Sequence, residues 1–180
     1  MNDYGVVLES GAVRFERLLP GPIERVWAYI TEGDKRSKWF CGGDVEPRIG
    51  GEVALFFKHS RITDEPPPDS ARKMNDEGAL MSGTVTAWDP PHRFAFNWLG
   101  MGDPDSDVEF QLSEAGDKVR LVLIHHRLAT KDRMAMISSG WHLHLGLLED
   151  QLTGARPRGF WSVHDQLKAE YAERQKGITL

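Results

Sequence analysis

The chain has 180 residues, of which 40% are hydrophobic and 27% charged, enough for one globular domain that buries roughly 70% of its unfolded surface. A formal net charge of −5 with dispersed Lys and Arg argues against nucleic acid as the principal partner, because phosphate binding needs a clustered basic surface. The single cysteine, Cys41, excludes an internal disulfide and a cysteine-rich metal site, no apolar run is long enough to insert in a membrane, and the lack of a charged, apolar leader makes the cytoplasm the expected compartment.

After a loose N-terminus, Ala12 to Leu19 alternate apolar and polar residues, placing Val13, Phe15, Arg17 and Leu19 on one face of a strand. Pro22 suits the first position of a helix whose stripe is Ile23, Val26, Trp27 and Ile30, and Asp34 is positioned to cap a second short helix carrying Trp39 and Phe40. Gly42 to Gly51 read as turns, with a hairpin across Ile49 to Glu52 leading into a strand over Val53 to His59. Residues 60–78, with three consecutive prolines and many charges, read as a long exposed loop and the least ordered part of the chain.

Strands return as LMSGTVTAWD, HRFAFNWL, DVEFQLSE and KVRLVLIHHRL, the last two joined by the tight turn EAGD. Phe94, Phe96 and Trp98 share a face, as do Val108, Phe110 and Leu112, and as do Leu121, Leu123 and His125. A long helix follows, with Met134, Ile137, Trp141, Leu145, Leu148 and Leu152 in one stripe and Gly154 as its left-handed cap. Its start is open between Thr130 and Ser138 or Ser139, the latter implying a break near Gly140. A further helix lies within 160–177, where Ser162 and Asp165 resemble a capping box and Val163, Leu167 and Tyr171 form a narrow stripe. That stripe and Phe160 and Trp161 must be covered, either by the long helix near Leu143 and Leu147 or in a homodimer. The whole chain therefore reads as one α+β domain with a core over about 12–154: a six- to seven-stranded antiparallel sheet, one side of it apolar and covered by the long helix.

PIERVW, KWF, DVEPRIGGEV, GTVTAWDPPHRFAFNW, VRLVLIHHRL and GWHLHLGLLEDQL together, over about Val13 to Leu152, resemble the family of activator of heat-shock protein 90 ATPase homologues, within the START-like (Bet v 1-like, polyketide cyclase-like) superfamily. The 60–78 insertion and the C-terminal helix depart from that pattern. The resemblance implies a helix-grip fold, a curved sheet around the long helix with a cavity between them. It implies no single activity, since relatives include ligand carriers, cyclases and a co-chaperone domain.

The histidines give no metal-site spacing: His125 and His126 point to opposite faces of a strand, and His142 and His144 are about 200° apart on a helix. Cys41 has neither a nucleophile elbow nor a base in register. Arg17 and His125 stand out because their faces are otherwise apolar; each either finds a core partner or meets a ligand. The aromatic set Trp27, Trp39, Phe57, Phe96, Trp98, Phe110 and Trp141 serves either as core filling or as the wall of a pocket. The expected ligand-binding residues are these nine with His144, Leu145 and Leu148, the ligand is a small apolar or amphipathic molecule, and no catalytic residue, metal or cofactor is assigned. A chaperone partner and a cyclase- or hydrolase-type enzyme are the competing readings.

Overall fold

Period-two alternation puts one face of every long strand into the core, and the pairing register turns those faces into continuous rows. In the computed structural model, which describes residues 3–8, 11–99 and 106–177, the strands are β1 (Val6–Leu8), β2 (Ala12–Pro20), β3 (Glu52–Phe57), β4 (Ala79–Asp89), β5 (Arg93–Trp98), β6 (Ser106–Ala115) and β7 (Lys118–His126). They form one antiparallel sheet in the order β1-β2-β7-β6-β5-β4-β3. Phe15, Leu123, Phe110 and Phe94 are successive cross-strand partners, as are Val13, His125, Val108 and Phe96 in the neighbouring row. All eight are buried, so the sheet presents an apolar face that needs a cover. The register shifts between Val85 and Ala87, an irregularity within the β4–β5 pairing.

The cover is α4 (Lys131–Thr153). Thr130 settles its start: the side chain accepts the Arg133 N–H, and the helix runs unbroken through Gly140. Gly154 closes it at φ 70°, in the left-handed region. Trp141, Leu145 and Leu148 are buried, and so are Leu143 and Leu147 on other sides of the helix, because α5 (Trp161–Arg174) packs along α4 in the same chain. His142 and Tyr171 hydroxyl lie 3.0 Å apart, and Gln175 donates to Ser138 Oγ. The narrow stripe of α5 is therefore covered intramolecularly: Phe160, Trp161, Leu167 and Tyr171 are all buried in the monomer. No helix among the described residues is long and apolar enough to cross a membrane.

Several expectations are corrected. Residues Val6–Leu8 are not loose but pair with β2 as an edge strand. Asp34 does not cap α2 (Gly33–Arg36); it sits inside the first turn, and Trp39 and Phe40 lie beyond the helix end. The hairpin before β3 is reduced to isolated bridges, Val45 with Val53 and Gly42 with Phe56, since Pro47 has no N–H for a ladder. The 60–78 stretch carries 3₁₀ turns at His59–Arg61 and Asp69–Ala71 and a short helix, α3 (Arg72–Asp76). Ser162 and Asp165 do not form a capping box, because Ser162 gives both its N–H and its hydroxyl to Glu65 of the insertion.

The corner joining α1 (Ile23–Thr31), α2 and β3 is organised by a residue without any pattern in the sequence. Arg36 is 3% exposed and, among the described residues, donates only to backbone carbonyls. Those of Gly43 at 2.6 Å, Thr31 at 3.1 Å and Cys41 at 3.2 Å are nearest, with those of Ile30, Gly42 and Ala54 at 3.4 Å. Gly43 makes the approach feasible: its φ is +94°, and a Cβ there would meet the Ala54 carbonyl at 2.4 Å. Arg36→Met keeps the apolar stem but strands these carbonyls, and we expect a loss of about 2–4 kcal/mol in urea denaturation. A loss under about 0.5 kcal/mol, the level of a neutral surface change, would show that the corner does not depend on the guanidinium.

Candidate functional site

Where β3 ends, Phe57 stacks on Trp98 of β5, with ring centroids 5.7 Å apart and planes 14° from parallel. Phe40, just beyond α2, fits edge-on against both rings and lies 4.7 Å from Trp141 of α4. These rings form the floor of a cavity of about 320 Å³, at the lower end of the range for small-molecule sites, roughly 300–1,000 Å³. The 60–78 insertion contributes Ser70, Ala71 and Met74; β4 contributes Met81, and α4 adds Met136, Ile137, Gly140 and His144. Phe160, Trp161, His164 and Lys168 close the remaining side. Thioethers and aromatic faces give a wall that is apolar yet adaptable.

The insertion and the C-terminal helix meet at Glu65. Its carboxylate accepts the Ser162 N–H at 3.2 Å and the Ser162 hydroxyl at 2.8 Å, which holds it below the usual carboxylate range. A Cβ at Gly159 would sit 2.4 Å from Glu65 Oε1, so a side chain there would displace the Glu65 carboxylate from Ser162. This contact fixes the start of α5, and with it Phe160 and Trp161, over the cavity.

The polar atoms of the site are few and their states follow from their partners. His144 Nδ1 lies 2.7 Å from the Trp39 carbonyl; a carbonyl only accepts, so Nδ1 carries the proton and Nε2 is the acceptor. His125 Nδ1 accepts from Trp141 Nε1–H at 2.9 Å, which puts the His125 proton on Nε2, a buried atom with no partner. His59 Nδ1 and Trp161 Nε1–H are likewise buried without partners. Burial pushes the histidine pKa values down, to about 3 for His125 and His144 and about 4 for His59, so the cavity end is neutral at pH 7. Cys41 is buried too, its thiol pushed up to about 12 by desolvation. Among the described residues no group of three His, Cys, Asp or Glu is placed to hold a metal ion.

Of the residues expected from sequence, Phe57, Trp98, Trp141 and His144 line the cavity. Trp39 is not among the lining residues; its carbonyl orients His144, which is. His125 lies behind the wall, stacked on Trp98 at 5.5 Å. Phe96, Phe110, Leu145 and Leu148 are buried but are not among the lining residues. Trp27 is elsewhere, against Trp88 and Phe94. Arg17 is also remote from the lining; its guanidinium donates to the Asp3 and Glu16 carbonyls, at 2.7 and 2.9 Å, rather than pairing with a core carboxylate. Sequence reasoning missed Phe40, His59, Met74, Met81 and the Phe160–Trp161 pair as wall residues. For His59 the available signal was its place at the end of an apolar strand, VALFFKH.

The family profile for Activator of Hsp90 ATPase homolog 1-like protein matches residues 20–153. Among curated proteins none matches the chain. The solution structure of a Bordetella parapertussis protein is 39% identical and superimposes with a TM-score of 0.82, covering 99% of this chain and 92% of its own. CalU16 from Micromonospora echinospora, at 22% identity and TM-score 0.67, covers 94% and 93%. The Aha1 dimer from Colwellia psychrerythraea, at 18% identity and TM-score 0.58, covers 78% of this chain and 95% of its own.

The buried imidazoles set the acid limit of the fold. Unfolded histidine titrates near 6.5, while His59, His125 and His144 stay neutral in the fold down to about 4, 3 and 3. The unfolded chain therefore takes up protons first. Stability is complete above about pH 7 and falls as pH drops from about 6.5 towards 4, by up to about 1.4 kcal/mol per pH unit for each histidine. Denaturant midpoints measured at pH 8, 6 and 5 should show a plateau and then a steep decline; a midpoint unchanged down to pH 4.5 would contradict the burial of these rings.

Proposed function

The chain belongs to the Activator of Hsp90 ATPase homolog 1-like family, and from that premise we propose that it holds a small apolar or amphipathic molecule, without covalent chemistry, in the cavity between sheet, α4 and α5. The observation that carries the reading is the cavity itself, an aromatic and thioether wall around a partly open space of about 320 Å³. A space this size, open on one side, leaves its apolar lining against water, and an apolar occupant removes that lining from water. The Cys41 thiol is held at about 12, and His144, at about 3, is a good hydrogen-bond acceptor but a poor base at neutral pH.

Gly140 gives a clean test. It lines the cavity from within α4, and an added Cβ would meet nothing within 4 Å. Gly140→Leu places a side chain in the cavity and also removes a helix-interior glycine, which favours the helix by roughly 0.5–1 kcal/mol. Wild-type protein should take up naphthalene in equilibrium dialysis, and native mass spectrometry of freshly purified protein should show a retained small molecule. Gly140→Leu should weaken naphthalene binding at least about tenfold, equivalent to about 1.4 kcal/mol, at an equal or higher melting temperature. Unchanged binding in the variant would place the probe elsewhere. If no small molecule is bound and the protein instead stimulates a heat-shock protein 90 ATPase, the interaction reading replaces this one.

A further inference from the structure

Three methionines converge on the cavity from three separate elements: Met74 from α3, Met81 from β4 and Met136 from α4. All three are partly exposed, whereas Met134, on the same helix as Met136 and two residues before it, is 1% exposed within the core. The space they line is open on one side, where Ser70 and Lys168 are exposed, so small polar solutes reach this wall. The chain's one thiol offers no competing target: Cys41 is buried and held at about 12, and an oxidant attacks the accessible, ionised sulfur of a cysteine. Among the described residues, every partly exposed sulfur-bearing side chain therefore lies on the cavity wall.

Met81 is tied into the site by its sulfur. Trp98 Nε1–H donates to Met81 Sδ at 3.4 Å, the weak contact that a thioether acceptor allows. Trp98 is also the floor ring that stacks on Phe57. A chemical change at that sulfur is felt by the floor as well as by the wall.

Building on the cavity-binding reading above, we propose that Met74, Met81 and Met136 form a modification site for hydrogen peroxide, and that their oxidation releases the apolar occupant. The thioether sulfur gives an electron pair to one peroxide oxygen, the O–O bond breaks as the S–O bond forms, and the second oxygen leaves with both protons as water; sulfur is oxidised and peroxide reduced. Each sulfoxide sets a strongly polar group into an apolar lining. At Met81 the new oxygen is a stronger acceptor for the Trp98 N–H than sulfur was, and reaching it through that extra atom displaces the floor ring or the methionine. The change is reversible, since sulfoxide reductases, one for each epimer, return the thioether.

Peptide mass spectrometry after graded hydrogen peroxide treatment should find one added oxygen atom at Met74, Met81 and Met136 before any at Met134. Equilibrium dialysis of naphthalene against the same samples should show affinity lowered at least about tenfold, recovered to within about twofold once the two reductases have acted. Leucine is close to methionine in volume and has no sulfur to oxidise. M74L/M81L/M136L, whatever its starting affinity, should therefore hold that affinity within about twofold through the same treatment, and Met81→Leu alone should remove the larger part of the response. Oxidation of Met134 as fast as of Met136 would overturn the selective site. Complete sulfoxidation of the three with naphthalene binding unchanged, or a triple variant as sensitive as wild type, would overturn the release and leave the cavity reading standing. If untreated protein does not bind naphthalene, the cavity reading falls and the release with it, and the order of oxidation in the mass spectra alone decides the modification site.

Discussion

Helix α4 is buried on more than one side, and the rest of the fold answers that demand. Its stripe of Trp141, Leu145 and Leu148 would suffice for a helix lying on a sheet, but Leu143 and Leu147 are buried as well, and a helix apolar around most of its circumference needs covering around most of it. The sheet supplies one surface and α5 another. Apolar packing alone does not register such a helix along its length, and its buried polar residues do so instead. Ser138 receives Gln175 near the end of α5, His144 meets the Trp39 carbonyl, and Trp141 donates to His125 on β7. Asp150 takes a bidentate contact from Arg158 in the following turn, at 2.7 and 2.8 Å. Each tie reaches a different element, and each would leave an unpaired buried group if the helix slid by one turn.

The cavity is a product of the same arrangement. Large rings from β3, β5 and α4 meet at angles that do not close the space between them, and the insertion and α5 roof it over. Glu65 ties the 60–78 segment to the start of α5, so the two flanks of the cavity are coupled to each other.

The sheet and the main helix were legible because their signals are periodic. Each long strand has one buried face, which alternation reports directly, and Gly154 announces the end of α4 by backbone geometry alone. Period two tells which face of a strand is buried but not how deep a residue lies, which is why Phe96 and Phe110 could not be told from Trp98; the register set the first two into the core and the last onto the cavity floor. The start of α4 was obscured by Ser138, Ser139 and Gly140, helix-weakening residues that sit where α5 and the cavity come close. Val6–Leu8 is too short for alternation to register. His59, Phe160 and Trp161 lie in or beside aperiodic segments, where no pattern assigns them a neighbour. Arg36 was silent because it follows Asp34 and Lys35 on a four-residue helix, too short for any spacing to single out one charge as buried.

The Arg36 corner also bears on how this chain tolerates change. Its guanidinium recognises main-chain oxygens of Ile30, Thr31, Cys41, Gly42, Gly43 and Ala54, and a carbonyl is present whatever side chain follows it. An arginine paired with a carboxylate loses its partner to a single substitution; this one has no partner that a side-chain replacement can delete. The positions around it are therefore decoupled from the electrostatics of the corner and answer only to packing, while Arg36 and the close-approach glycines Gly33 and Gly43 carry the constraint. Sequence drift in this corner should be broad at Ile30, Thr31, Cys41 and Ala54 and narrow at Arg36, Gly33 and Gly43.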